Sequence, residues 1–255
     1  MRVEALKARR SRVPLATAVA FAFAALVGGL FMFVLQDQGR ARSLGLLGTK
    51  ASLAGAAADW PGYFALLTQT AAVGGTVLFG LVLVWLFGRE FSQHTVKDLL
   101  ALPTSRTTVV LAKFVVAAGW CLVLTVQLVV LGLVVGAVLG LPGWTTGIAF
   151  TALARLLLVA AMTVAVMSPV GLAASAGRGY LSGIGAVIAT VFLAQVVAAL
   201  GHGHYFPWSV PALFSGVAGP DRAMPGVVGF GLVALVGVAG VVGTAWWWRD
   251  ADQDR

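Results

Sequence analysis

The chain has 255 residues, of which 60% are hydrophobic and 10% charged, with a formal net charge of +8 and a mean hydropathy of +0.96. A water-soluble domain carries about 25% charged residues, so too little polar surface is present here to enclose a soluble globule. The composition therefore predicts an all-α integral membrane protein. The positive charge does not indicate a nucleic-acid partner, because the basic residues cluster at the ends of apolar runs, where they face anionic lipid.

Six apolar runs are long enough to cross a bilayer. The first follows a basic segment, residues 1–12, and is longer than the apolar region of a signal peptide, which favours a retained span. The second starts beside Trp60 and Tyr63, aromatic residues typical of a membrane interface, and Pro169 predicts a kink in the fourth. The predicted spans are 14–35, 63–87, 109–139, 148–174, 180–200 and 225–247.

Several features near the span ends complete the predicted topology. Lys113 is expected to snorkel toward the headgroups at the start of span three. Residues 201–224 alternate Gly, Pro and aromatic residues and predict a short re-entrant or interfacial hairpin between spans five and six. Span six ends in the aromatic anchor 246–248, followed by Arg249. With the N-terminus inside, twelve of the 17 Lys and Arg lie inside and four outside, which predicts that both termini are cytoplasmic.

The longest charged interruption of the apolar pattern is residues 89–106. Helical periodicity over 91–102 places apolar side chains on one half, and Pro103 ends the segment. The other half carries the polar side chains Gln93, His94, Lys97 and Asp98. An amphipathic helix between two spans is expected to lie along the membrane surface with its polar face toward water or a partner. The alternative is a solvated loop that only joins the two spans.

The same stretch carries an ordered set of residues after the second span. They are Glu90, Thr95, Leu99–Leu100, Pro103, Ser105–Arg106 and Lys113. In this order and place they resemble the cytoplasmic loop between spans two and three of type-2 ATP-binding-cassette (ABC) exporter permeases. The family usually has Gly before the Thr, where this chain has His94. The six-span layout and the hairpin extend the resemblance, which implies one ABC type-2 transmembrane domain over residues 1–255.

The resemblance implies a permease subunit of an ATP-driven exporter that moves or flips an amphiphile, such as a drug, antibiotic, peptide or lipid, across the cell membrane. Two permease chains, identical or different, would pair, and separate cytoplasmic ABC ATPase subunits would bind the ATP and Mg. The chain itself would bind no cofactor. The implied ATPase-coupling residues are Glu90, Phe91, Gln93, His94, Lys97, Asp98 and Arg106. Spans two and five of such permeases face the central cavity, which here points to Thr76, Phe79, Phe192 and Gln195.

The sequence lacks the motifs of several other functions. No Gly-Lys pair occurs, so the chain has no phosphate-binding loop of its own. No His-Glu-x-x-His or zinc-ligand spacing is present, and the single cysteine, Cys121, lies in an apolar run. A secondary transporter usually has carboxylates inside its spans, and none is predicted there. A membrane-embedded enzyme acting on lipid or peptide would need a nucleophile–base set, and Ser168 and Ser182 have no evident basic partner.

Three polar side chains lie within the predicted spans: Gln127, Arg155 and Gln195. A charge inside the bilayer is costly, which makes Arg155 a candidate for the substrate pathway. Its position about two turns from the outer end of span four also allows it to snorkel outward. The two glutamines either line the same pathway or form hydrogen bonds between helices.

Overall fold

The computed structural model describes residues 11–37, 58–96, 104–217, 219 and 224–250. All regular secondary structure within these residues is helical. The helices are α1 (Val13–Gln36), α2 (Trp60–Ser92), α3 (Arg106–Val138), α4 (Thr146–Met167), α5 (Pro169–Ala176), α6 (Tyr180–Ala199), a 3₁₀ turn (Gly203–Tyr205), α7 (Val210–Ser215) and α8 (Val227–Asp250).

Six of these units are long and apolar enough to cross a membrane, with α4 and α5 together forming one of them. This confirms the predicted all-α membrane class and the number of spans. The bundle has two distinct ends. At one end, called the basic end here, α1, α3 and α6 begin and α2, α5 and α8 finish. Its described cations are Arg12, Arg89, Arg106, Lys113, Arg178 and Arg249. The opposite end carries α7 and is called the hairpin end.

Three of the described helices, α2, α3 and α4, begin at a side chain that caps a free backbone N–H group. Asp59 Oδ1 accepts from the Gly62 N–H at 2.8 Å before α2. Ser105 Oγ accepts from the Thr108 N–H before α3, and Thr145 Oγ1 accepts from Ile148 before α4, both at 3.2 Å. In each case a single polar side chain at the N-cap marks where the helix begins.

Helix α2 is the centre of the bundle. It packs against α1, α3, α4, α5, α6 and α7 and is the most buried of the six spans, whereas α6 is the least buried. Close contact with α3 depends on glycine, because a Cβ added at Gly136 would lie 2.5 Å from the ring of Trp60. Gly132, one turn earlier, faces Leu67 in the same way. Small residues at helical spacing thus allow α2 and α3 to approach closely.

Pro169 interrupts the fourth span, which confirms the predicted kink. α4 ends at Met167 and α5 begins at Pro169, so carbonyls in the last turn of α4 need partners from outside the helix. The indole of Trp208, in the segment before α7, donates to Val166 O at 2.7 Å. The Ser168 hydroxyl donates to Gly237 O in α8 at 2.9 Å. The break is therefore stabilised by the Trp208 side chain from the segment before α7 and by the hydrogen bond from Ser168 itself to the backbone of α8.

Helix α2 runs five residues beyond the predicted end of span two. It continues through Phe91 to Ser92, so the prediction that Phe91 begins a separate helix is wrong. No Pro or β-branched residue interrupts residues 87–92, and the charges of Arg89 and Glu90 are paired within the bundle. Val96 is helical again, whereas the predicted positions Lys97 and Asp98 lie outside the described residues.

The prediction for the Trp triplet near the end of α8 is only partly correct. Trp246 is 63% exposed, as expected of an interfacial anchor. Trp248 is instead fully buried, because its indole N–H donates to Ser175 Oγ of α5 at 2.9 Å. This hydrogen bond therefore joins α8 to α5.

We expect Gly240 to be intolerant of a side chain, because α8 crosses the α4–α5 break there. A Cβ at this position would lie 2.6 Å from the Pro169 backbone N and 2.7 Å from Ser168 C. Gly240→Ala should destabilise the bundle by about 1–3 kcal/mol, the usual cost of overpacking. Gly231→Ala in the same helix is the control, since no atom lies within 4 Å of the added Cβ. Thermal unfolding in detergent should separate the two; equal unfolding temperatures would contradict this packing.

Candidate functional site

The carboxylate of Glu90 is the centre of a buried polar cluster at the basic end. It is 1% exposed. Its Oε1 accepts from Lys113 Nζ at 2.9 Å and from Arg89 Nε at 3.3 Å, and its Oε2 accepts from Thr95 Oγ1 at 2.6 Å. Both carboxylate oxygens are therefore hydrogen-bonded. A buried charge is stable only when it is paired and satisfied in this way.

Lys113 does not snorkel, contrary to the prediction from sequence. Its side chain is fully buried, and Nζ donates to Leu86 O at 2.8 Å as well as to Glu90. The reason is that α2 continues as a helix past the expected end of its span. Its last turns lie beside the first turns of α3 and offer Lys113 two hydrogen-bond acceptors. Lys113 thus joins two spans, and neither its ammonium nor the Glu90 carboxylate faces water.

Thr95 folds the chain back onto the end of α2. Its backbone N–H donates to Glu90 O at 2.9 Å, and its hydroxyl bonds the Glu90 carboxylate. The turn between them places His94 in the left-handed region, with φ of 56°. Gly adopts this conformation without strain and His is among the residues that tolerate it, which explains why a position usually occupied by Gly in the resembled family can hold His94. Ser92, Gln93 and His94 are exposed, so the turn presents these side chains outward.

Arg106, at the start of α3, contacts the end of α8. Its guanidinium donates to Trp248 O at 3.2 Å and to Arg249 O at 3.3 Å. A cation at the C-terminus of a helix satisfies free carbonyls and complements the helix dipole. Phe91 packs edge-on against Trp248 with ring centroids 5.8 Å apart. Phe91 and Arg106, both predicted for ATPase coupling, therefore bind α8 to the ends of α2 and α3.

The basic end thus holds a rigid cluster beneath an exposed turn. Its buried members are Glu90, Lys113 and Arg89, and Thr95 connects them to the turn. Arg89 is 6% exposed and its guanidinium carbon lies 4.9 Å from the centre of the Trp85 ring. The cluster fixes the position of the turn relative to α2 and α3.

The residues predicted for the substrate pathway do not form one site. Phe79 is fully buried, stacked on Phe21 of α1 with centroids 5.6 Å apart, so its ring fills the core. Gln127 donates to Ala18 O at 2.8 Å and joins α3 to α1, as the interhelical alternative predicted. Thr76 is half-buried and its hydroxyl bonds Ala72 O in its own helix. Phe192 and Gln195, both on α6, are exposed, as is Arg155 on α4.

Arg155 lies at the hairpin end and contacts α7. Its Nε donates to Phe214 O at 3.2 Å, and the guanidinium carbon lies 5.1 Å from the centre of the Phe214 ring. The side chain is exposed beside a cavity of about 230 Å³ that Thr68 and Ser215 also line. Arg155 therefore links α4 to α7, a contact that neither sequence alternative described.

Sequence reasoning missed Trp208, Ser168 and Ser175 as links between elements. The available signal was a hydroxyl or indole in an apolar surrounding, which needs a hydrogen-bond partner when buried. Within the described residues, no group of three His, Cys, Asp or Glu side chains has the geometry to hold a metal ion. Cys121 is buried and free.

Comparison with known proteins gives consistent matches. A sequence model of the family described as ABC-2 family transporter protein matches residues 1–196. The chain is 26% identical over 179 residues to a bacitracin transport permease protein from Bacillus licheniformis, an overlap that covers 70% of this chain and 85% of the relative. No match was found among solved structures.

We expect the Glu90–Lys113 pair to behave as a coupled unit. Lys113→Met leaves the carboxylate without its closest cation and should cost about 3–5 kcal/mol of stability. Adding Glu90→Gln should recover some of this loss, because the double variant buries no unmatched carboxylate. The exposed pair Arg249–Asp250 provides the control, and Arg249→Gln should change the unfolding temperature little. Thermal unfolding of the unaltered chain, Lys113→Met, Glu90→Gln, the double variant and the Arg249→Gln control tests this; a double variant as damaged as the sum of the two single changes would contradict the coupling.

Proposed function

This chain belongs to the ABC-2 transporter family, and on that basis we propose that it is the permease subunit of an ATP-driven exporter. It is a multi-pass membrane protein and a transporter subunit rather than an enzyme. The observation that carries the proposal is the exposed turn, residues 92–94, held by a buried charged cluster between the second and third spans. A surface element fixed to two spans is suited to receive force from a separate ATPase.

In this proposal the coupling residues have two different roles. Gln93 and His94 are exposed and would contact a cytoplasmic ABC ATPase, together with Lys97 and Asp98. Glu90 is too deeply buried to touch a partner and would act as a positioning residue through Thr95. ATP and Mg would be bound and used entirely on the ATPase subunits.

The proposed cargo is an amphiphile, most simply a peptide antibiotic. The similar chain from Bacillus licheniformis is named for bacitracin transport, which supports this class of substrate. A second permease chain, identical or different, would complete the pathway. The exposed face of α6 with Phe192 and Gln195 is the candidate lining, with Thr76 of α2 a further candidate.

The function test compares two substitutions of Thr95. Thr95→Val keeps the shape of the side chain but removes the hydroxyl that bonds Glu90, a contact to a charged group worth about 1.5–3 kcal/mol. The equilibrium constant between the observed turn and other conformations should change by roughly ten- to hundredfold in favour of the others. The ATPase subunit that co-purifies with the chain should hydrolyse ATP more slowly, and bacitracin should stimulate this hydrolysis less. Thr95→Ser keeps the hydroxyl and should retain both activities.

Two results would contradict the proposal. If no ATP-hydrolysing subunit co-purifies with the unaltered chain from its native membrane, the chain is not an ABC permease subunit of this kind. If Thr95→Val keeps full bacitracin-stimulated hydrolysis, the turn does not couple the two subunits.

We also propose that the basic end faces the cytoplasm, so that both termini lie there. The described cations concentrate at that end, in agreement with the positive-inside rule. In a Cys121→Ala background, Gly147→Cys at the hairpin end should react with a membrane-impermeant thiol reagent in intact cells. Gln93→Cys should react only after permeabilisation. Both positions are exposed, so the reverse pattern would overturn the orientation.

A further inference from the structure

The cavity beside Arg155 at the hairpin end lies between α2, α4 and α7. Its volume is about 230 Å³. Sites that enclose a drug-sized ligand have roughly 300–1,000 Å³, so this cavity is sized for one chemical group of a ligand rather than for a whole peptide antibiotic. Apolar side chains of α2 and α4 form part of its wall, and the polar lining residues are Thr68, Thr151, Arg155 and Ser215.

The guanidinium of Arg155 has more hydrogen-bond donors than the protein uses. An arginine side chain carries five N–H groups. In Arg155, Nε and Nη2 each donate to Phe214 O, and the side chain has no other hydrogen bond or ion pair in the described part of the chain. Because these two N–H groups share one edge of the guanidinium, the parallel pair at its outer end is available to a ligand.

The charge of Arg155 also lacks a matching carboxylate within the described residues. Arg155 lies nine residues beyond the start of α4, about 14 Å into the span, where an unmatched charge is costly. The described carboxylates of this end are Asp37 and Asp59, and neither lines the cavity. Asp59 instead caps the start of α2 through the Gly62 N–H. An anionic group in the cavity would therefore supply a countercharge.

The hydroxyl groups that line the cavity add hydrogen-bond acceptors. Those of Thr68, Thr151 and Ser215 donate to backbone carbonyls of their own helices at 2.7, 3.0 and 2.7 Å. Their hydrogens are thus used, whereas their oxygens keep lone pairs. The complementary ligand combines an anion with a donor beside it. A peptide carboxylate has such a donor in the nearest amide N–H, whereas the acyl esters next to a phospholipid phosphate are acceptors only.

We propose that this cavity binds a carboxylate of the transported peptide, an inference that rests on the proposed function for the class of cargo. The outer end of the Arg155 guanidinium donates two parallel hydrogen bonds to the carboxylate oxygens. Phe214 O holds the opposite edge of the guanidinium and so fixes its orientation. Hydroxyl oxygens of Thr151 and Ser215 accept from the neighbouring amide N–H. The site lies at the end of α2 opposite the exposed turn, so cargo recognition and ATPase contact are separated along the bundle.

The experiment measures equilibrium binding of a labelled probe, N-octanoyl-glycylglycine, to the purified whole chain in detergent. The probe carries one carboxylate beside an amide N–H, together with an acyl chain. Its C-terminal amide, which lacks the charge, should bind at least about tenfold more weakly, because hydrogen bonds to a charged group are lost. Octanoate keeps the charge but has no N–H group, and it should also bind more weakly than the probe.

Two matched pairs of variants test the charge and the cavity separately. Arg155→Lys keeps the charge but not the planar fork, and it should weaken probe binding by at least about tenfold. Arg249→Gln, at the basic end, is its control and should bind the probe normally. Ala65→Phe fills the cavity from an exposed position of α2, leaves the Arg155 contact with α7 unchanged and should abolish binding. Val73→Phe, at a position of the same helix that is 42% exposed and outside the cavity, should leave binding intact.

Three outcomes would overturn the proposal. The first is equal binding of the probe and its amide, which would show that the acyl chain alone is recognised. The second is full probe binding in Arg155→Lys and Ala65→Phe. The third is displacement of the probe by phosphatidylglycerol but not by phosphatidylcholine, which would assign the cavity to an anionic lipid. None of these measurements needs the ATPase, so a failure of this site is distinguished from a failure of the proposed function, which co-purification of ATP hydrolysis decides.

Discussion

The bundle is organised by the need to neutralise one carboxylate inside it. Removing a charge from water costs several kcal/mol even after relaxation, and Glu90 is compensated only because Lys113, Arg89 and Thr95 reach it together. These contacts require α2 to continue past the apolar run and α3 to begin beside it. The ion pair therefore fixes the position of α2 along α3, and it determines where the chain leaves the bundle for the exposed turn.

Elsewhere the helices are held by packing and by single hydrogen bonds, as expected where lipid provides no hydrophobic drive for association. Gln127 bonds Ala18 O, and Trp120 Nε1 donates to Thr17 Oγ1 at 3.0 Å, so α3 is joined to α1 twice. At the far side of the bundle, Ser168 and Gly240 bring α8 against the α4–α5 break. Each of these polar contacts sets a register that apolar packing alone leaves open.

The sequence was sufficient for features that depend on local composition. The six spans follow from the length of the apolar runs, and the kink at Pro169 follows from its missing backbone N–H. It was insufficient where a partner lies far along the chain. Lys113 was expected to reach the headgroups because periodicity within one helix carries no information about a carboxylate on another.

The site shows the same division. Gln93 and His94 were correctly expected to be exposed, since they follow an apolar run and are polar. Phe79 was assigned to a pathway because its helix faces a cavity in related permeases, yet its own face of α2 packs on Phe21. A helix that borders a cavity contributes to its lining only the side chains on the face toward it. The side chains on its other faces pack against neighbouring helices.

The continuity of α2 has a mechanical consequence. Its 33 residues form one helix from the hairpin end to the exposed turn, a rod about 50 Å long. Pivoting such a rod by about 5° at one end would displace the other by about 4 Å, a little less than the ~5.4 Å pitch of one helical turn. A small rotation applied at the turn would therefore become a displacement of several ångström at the opposite end of α2.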